Sequence, residues 1–221
     1  MYVLKILDDA DLIKAKELIS KIDFSDGKKS ARGLAQDVKS NLEANPNGKD
    51  YKAAVDFINL KFRQNTQVKT LFLPHSFSNP IINKYGIGDG YGRHFDTSHM
   101  STSSGIYKSD FSYTLMLSSL DEYEGGELQI ESDFLNREFR IGPGDAVFYS
   151  SNNIHQVIPV TKGERIAYVG WMRSSYKDYA SFEAMKAFEA MHVDLLKHDL
   201  SDEERLNIAF VKNKLKYVLS K

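Results

Sequence analysis

Two histidines and an aspartate carry the chemical interest of this 221-residue chain. His94 and Asp96 stand two apart in Tyr91-Gly92-Arg93-His94-Phe95-Asp96, and in an extended segment alternate side chains share a face, so both can aim at one interior point. With six histidines and 18 aspartates, chance alone supplies about half of one such pair, so its setting among β-like runs matters more than the pair itself. His155, in Ile154-His155-Gln156-Val157, can bring a third ligand from a distant strand. Two neutral imidazoles and one carboxylate on one face of a metal leave open positions, a donor set that suits iron(II) and the activation of O2. Taken singly, each histidine could equally be a hydrogen-bonded or surface imidazole.

Arg165 follows His155 by ten residues, on the next β-like run, after the turn Thr161-Lys162-Gly163-Glu164. A guanidinium inside a barrel lined by Val, Ile and Tyr needs an anionic partner, and a dicarboxylate would supply one through a bidentate pair. The alternative is a salt bridge to Glu164 or another acid. His99, in Thr97-Ser98-His99-Met100-Ser101, reads as a loop histidine at the barrel mouth, either meeting substrate or simply solvated. Gly86, Gly88, Gly90 and Gly92 lack the spacing of a nucleotide loop and lead into a strand, so a turn accounts for them.

These groups need elements to position them. Leu12, Ala15, Ile19 and Ile22 recur at helical spacing, as do Tyr51, Ala54, Val55, Ile58 and Phe62, with a polar, ambiguous stretch between the two helices. From about residue 70 come short β-rich runs: LFLP at 71, IINKY at 81, YGRHF at 91, FSYTLML at 111, ELQIE at 127, REFRI at 137, AVFYS at 146, IHQVIPV at 154 and RIAYVGWM at 165. Eight or nine short strands in that span describe a jelly roll. Phe182, Met185, Phe188 and Leu195 make one apolar helical face, and Ser201 with Glu204 forms a capping box before a last helix through Leu206, Ile208, Ala209 and Leu215. The fold class is therefore mainly β with flanking helices: residues 1–178 form the β domain with its N-terminal helices, and 179–221 a C-terminal helical extension used for packing or a homodimer contact.

Composition narrows the partners. A net charge of -1, from 29 basic and 30 acidic residues, provides no broad positive field for nucleic acid or anionic lipid. No run approaches the roughly 18 apolar residues of a membrane span, and the chain reads as soluble and cytoplasmic. Without cysteine, disulfides, thiolate metal sites and cysteine nucleophiles are excluded, so a metal must be held by imidazole and carboxylate.

Tyr85-(x8)-His94-x-Asp96, Glu124-Gly125-Gly126-Glu127-Leu128, Gly142-Pro143-Gly144-Asp145, His155-x-Val157-x-Pro159-Val160-Thr161-x-Gly163-x-Arg165 and Trp171 together resemble the PKHD-type hydroxylases, bacterial relatives of the prolyl 4-hydroxylases. The resemblance spans roughly residues 24 to 178. It implies a double-stranded β-helix, Fe(II) on His94, Asp96 and His155, and 2-oxoglutarate gripped at its distal carboxylate by Arg165, with Tyr85 in the place of a cosubstrate-holding tyrosine. A second such tyrosine, on the strand matching 111 to 117, is replaced by Leu115, with Tyr113 on the same face as a substitute. The implied reaction consumes O2, decarboxylates 2-oxoglutarate to succinate and CO2 and hydroxylates a C–H bond; ascorbate is a candidate accessory.

The kinship favours a peptidyl or free amino-acid side chain as substrate, proline first, with a small metabolite as rival. The segment from Thr97 to Ser109, rich in serine and glycine, is a candidate lid. A nucleic-acid demethylase of the same superfamily is the alternative enzyme, but its usual second arginine is displaced here to Arg173 and the chain lacks a basic surface. A non-enzymatic cupin-like module holding a metal or small acid is the alternative from another class.

Overall fold

The computed structural model describes residues 1–31, 33–102, 105–132 and 136–221. Two antiparallel sheets face one another. The larger runs Tyr2–Lys5, Asp145–Ser150, Phe111–Met116, Arg165–Ser174, Ile81–Tyr85, Leu42–Ala44 and Phe24–Asp26, with Pro74–Phe77 also paired to Arg165–Ser174. The smaller runs Arg137–Phe139, Leu128–Ile130, His155–Val157, Gly90–His94 and Lys39–Ser40. This is the double-stranded β-helix with flanking helices that the strand count predicts.

The larger sheet is covered on both faces, so all six residues of its central strand Phe111–Met116 are buried, polar ones included. Phe111, Tyr113 and Leu115 point outward into one core with Phe148, Tyr168 and Met172. Helices close that core: Ala15 and Ile19 from Asp9–Ile19, Ala54, Ile58 and Phe62 from Lys49–Gln64, Val68 and Phe72 from Thr66–Phe72, and Phe182 and Met185 from Tyr179–Leu195. Ala54, Ile58 and Phe62 are spaced by one helical turn each, so a single stripe is buried and the rest of that helix stays wet. Phe62 lies 4.5 Å, ring to ring, from Tyr113. The inward face of the same sheet joins the smaller sheet in a second cluster of Tyr85, Leu128, Ile130, Val147, Tyr149, Val157 and Val160.

Three local readings need correction. LFLP at 71 is not a strand: Asn65 caps the helix Thr66–Phe72 by accepting from the Val68 amide, Leu73 ends it in a left-handed conformation (φ 43), and the strand starts at Pro74, which cannot prolong a helix. The polar stretch between the first two long helices holds three short strands, Phe24–Asp26, Lys39–Ser40 and Leu42–Ala44, made by backbone pairing that side-chain pattern does not announce. Within Thr97–Ser109, His99–Thr102 pairs with Gly105–Lys108 as a hairpin rather than an open loop, and residues 103 and 104 of that candidate lid lie outside the described residues.

Candidate metal and cosubstrate site

His94 ends the strand Gly90–His94, and His155 begins His155–Val157 directly opposite it in register, so two residues 61 apart in sequence become cross-strand neighbours. Their rings lie 4.2 Å apart. Asp96 follows just beyond the strand end, with Oδ2 3.8 Å from His155 Nε2. One donor atom each from His94, Asp96 and His155 fall within 4.8 Å of one another, the only such group of three among the described residues.

Both imidazoles are oriented from behind. His94 Nδ1 lies 2.8 Å from the Gly92 carbonyl and His155 Nδ1 3.0 Å from the Asn153 carbonyl, so each Nδ1–H donates to backbone and leaves Nε2 with its lone pair for a ligand. Burial, then the adjacent His155 imidazole, push His94 down to about 4, so it is neutral and ready to ligate at pH 7. Tyr91 stacks on His94 with ring centroids 3.6 Å apart, and the buried Lys39 ammonium, paired with Glu43, sits 5.1 Å over the outer Tyr91 ring.

Asp96 has a partner that sequence reading missed. Ser112 Oγ donates to Asp96 Oδ2 at 2.5 Å; Ser112 Oγ also lies 3.0 Å from Ser151 Oγ, which is 2.5 Å from Ser109 Oγ. Three buried hydroxyls thus line up behind one carboxylate oxygen. The available signal was the small polar residues at 112 and 114, alternating with Phe111, Tyr113 and Leu115: the polar set faces the cavity and the apolar set faces the helices.

That alternation corrects the expected second tyrosine. Tyr113 and Leu115 lie on the helix side of the sheet, and the residue of this strand that lines the cavity is Thr114. A tyrosine does arrive, from the neighbouring strand: Tyr149 is buried, hydrogen-bonds Thr114, and has its ring 5.0 Å from His155. Burial first, then the charge of Asp96, hold its phenol well above the ordinary range.

Arg165 is 2% exposed and lines the same cavity. Glu164 is not its partner, because Glu164 pairs outward with Lys84 at 3.1 Å. Among the described residues Arg165 forms no salt bridge, and its Nε has no hydrogen-bond partner. Tyr85, opposite in register, places its ring 5.3 Å from the guanidinium carbon, and burial pushes its phenol up to about 12, so it stays a donor. A buried, unpaired cation is costly, and an anion entering the cavity would offset that cost. Gly126 makes room: its φ is +69 and a Cβ there would come within 2.7 Å of Arg165 Cδ.

The cavity is about 360 Å³ and is lined by the triad and Arg165 together with Ile81, Met100, Val169 and Trp171. Its donor set matches iron(II), and its unpaired arginine matches a dicarboxylate, so the residues fit both groups. His99 lies exposed at the rim, its Nδ1 3.0 Å from Ser98 Oγ. Gly88 takes a positive φ in a plain turn, and Asp89 accepts from the Gly86 amide.

Comparison with known proteins agrees with this geometry. Residues 80–173 match the 2OG-Fe(II) oxygenase superfamily. A PKHD-type hydroxylase of Idiomarina loihiensis is 39% identical over 178 residues, covering 79% of each chain. In fold, the chain resembles a Trichoplax adhaerens prolyl hydroxylase solved with a hypoxia inducible factor peptide (TM-score 0.54, 14% identity, 78% of this chain and 83% of that one). It also resembles HygX of Streptomyces hygroscopicus, solved with nickel, 2-oxoglutarate and hygromycin B (TM-score 0.53, 10% identity, 80% of this chain and 83% of that one). Among the described residues, no helix is long and apolar enough to cross a membrane.

Proposed function

The chain belongs to the PKHD-type hydroxylases, 2-oxoglutarate- and iron(II)-dependent dioxygenases, and from that premise we propose that it hydroxylates a C–H bond of a prolyl or other amino-acid side chain, with His94, Asp96 and His155 as iron ligands and Arg165 and Tyr85 as cosubstrate ligands. The observation carrying this reading is the convergence of three metal donors within 4.8 Å in a cavity that also holds an unpaired buried arginine. Bound iron(II), with 2-oxoglutarate and O2, supplies the oxidising power for C–H cleavage while the cosubstrate becomes succinate and CO2.

What the chain's own residues contribute is orientation and dryness. The Gly92 and Asn153 carbonyls hold the two imidazoles by Nδ1, and Ser112 fixes the direction of Asp96 through Oδ2, the oxygen that lies 3.8 Å from His155 Nε2. Arg165 would take the distal carboxylate through its fork, and the protonated Tyr85 phenol would donate beside it. Leu128, Val157 and Tyr149 wall the cavity and exclude water. Met100, Val169 and Trp171 provide an apolar and aromatic wall suited to an uncharged ring or aliphatic side chain. We read residues 1–178 as the oxygenase unit and 179–221 as a helical extension that also closes its core through Phe182 and Met185.

The deciding experiment is anaerobic titration of iron(II) and 2-oxoglutarate into the protein, following the weak visible band that requires keto-acid chelated to iron. A band in the wild type, absent in Asp96→Ala and weakened in Arg165→Ala, supports the assignment; no band at millimolar 2-oxoglutarate removes it. Succinate release on adding prolyl peptides, compared with free amino acids, then tests the substrate class.

A further inference from the structure

Asn83 brings an unpaired amide into the cavity. It is buried and lines the cavity with Ile81 and Tyr85, whereas Ile82 and Lys84, its neighbours in sequence, face the other side of the sheet. Its Oδ1 accepts from Asn41 Nδ2 at 2.8 Å, and the same Asn41 amide stands as a donor beside the Tyr85 phenol oxygen. An amide NH2 has two hydrogens, so Asn41 can give one to each and set the direction of both. Asn83 then turns its oxygen to Asn41 and its NH2 to the cavity, and Tyr85 keeps its own proton to donate. Among the described residues Asn83 Nδ2 makes no hydrogen bond, and a buried donor without a partner is costly.

Strand register places this amide relative to the two ends of the site. On the inward face the rows run from Tyr85 and Arg165, to Asn83 and Ala167, to Ile81, Val169 and Thr114, to Trp171 and Ser112. Ser112 in turn bonds Asp96 at 2.5 Å. Rows are about 7 Å apart along the strands, so Asn83 stands one row from the unpaired guanidinium on the way to the metal ligands. Ala167, opposite Asn83, offers only a methyl group. Other donors on the cavity wall are engaged: the Lys39 ammonium pairs with Glu43 and Ser30 Oγ, and the Thr114 hydroxyl with Tyr149. Trp171 Nε1 is also without a partner, but it stands two rows beyond Asn83.

We propose that Asn83 is a ligand of the cosubstrate, donating from Nδ2 to the 2-oxo-acid end of 2-oxoglutarate while Arg165 takes the distal carboxylate. This deepens the assignment of Arg165 and rests on it. A carboxylate that gives one oxygen to a metal keeps lone pairs on the other, and in a cavity poor in water those need a donor. Asn83 supplies a neutral one. Because Asn41 already fixes its amide, little side-chain freedom is lost when the acid enters.

Anaerobic binding of two 2-oxo acids to the iron(II)-loaded protein, followed by the visible band, tests this. 2-Oxobutyrate carries the 2-oxo-acid end without a distal carboxylate, so it reports on that end alone. Asn83→Leu is expected to weaken 2-oxoglutarate and 2-oxobutyrate alike, by about tenfold, as loss of a hydrogen bond to a charged group does. Arg165→Lys should weaken only 2-oxoglutarate. Asn83→Asp keeps the size and the acceptor for Asn41 but turns a carboxylate oxygen to the cavity, and should weaken both acids further than Asn83→Leu; a packing role would make it the milder change. Iron(II) affinity of Asn83→Leu without either acid should match the wild type. Wild-type affinity for both acids in the Asn83 variants, a loss confined to 2-oxoglutarate, or Asn83→Asp milder than Asn83→Leu would each overturn the proposal and leave Arg165 in its role. No band in the wild type would remove the cosubstrate assignment and this one with it.

Discussion

Ser112 donates its hydroxyl to Asp96 Oδ2 at 2.5 Å from inside the larger sheet, across from the smaller sheet that carries both histidines. The carboxylate follows the end of its strand, and among the described residues no backbone group hydrogen-bonds it, so its direction depends on this contact from another sheet. The hydroxyls of Ser151 and Ser109 extend the contact into the interior.

Removing that contact should loosen the metal without disturbing the fold. Ser112→Ala is expected to lower iron(II) or manganese(II) affinity about 10- to 100-fold, the range seen when groups that orient a metal ligand are lost. Ser112→Thr, which keeps the hydroxyl, should recover much of it. Anaerobic calorimetry reads both, and equal affinity in wild type and Ser112→Ala would reduce Ser112 to a packing residue.

Arg165 should matter for the cosubstrate and little for the metal. Arg165→Lys keeps a charge but loses the planar fork, and the KM for 2-oxoglutarate is expected to rise by about tenfold or more, since one bidentate pair between charged groups is worth on the order of 2 kcal/mol. Metal affinity measured without 2-oxoglutarate should stay at the wild-type value. An unchanged KM would mean that the distal carboxylate binds elsewhere.

Gly126 offers a subtler route to the same site. Alanine there must adopt φ near +69 and crowd Arg165 Cδ at 2.7 Å. Gly126→Ala is expected to cost about 1–2 kcal/mol from the backbone alone, together with weaker 2-oxoglutarate binding as the guanidinium shifts. Urea denaturation and cosubstrate titration measure the two effects, and wild-type behaviour in both would show that the turn relaxes freely.

The metal-free protein should lose stability in mild acid. His94 is pushed from 6.5 down to about 4 by burial and by His155, so between those values the unfolded chain takes up a proton that the folded chain refuses. Stability from this group is complete above about 6.5 and falls away as pH drops toward 4, by about 1–3 kcal/mol. Urea midpoints across that range should show the slope, and His94→Gln should flatten it; an equal slope in both proteins would place its origin in other groups.

Much of the site is readable in one dimension because its pieces are local. His94 and Asp96 alternate along one segment, His155 opens a β-rich run, and Arg165 stands where an apolar strand has no use for a charge; residue type and period-two geometry suffice to nominate all four. The capping box at Ser201 and Glu204 and the buried stripe Ala54, Ile58 and Phe62 are legible for the same reason, since each is decided within a few residues. Tertiary structure decided what depends on which sheet faces which. The resemblance sets Leu115 where relatives carry a cosubstrate-binding tyrosine and offers Tyr113 on the same face as its substitute, yet both point to the helices, because the strand is apolar on its covered outer face and polar where it meets the site. Ser112, Ser151 and Tyr149 gain their meaning from contacts with residues 16 or more, 39 and 6 positions away, such as Ser112 with Asp96, Ser151 with Ser112 and Tyr149 with His155. Serine and tyrosine are common in strands, so only closure of the sandwich distinguishes the ones that hold a ligand in place from the ones that merely fill space.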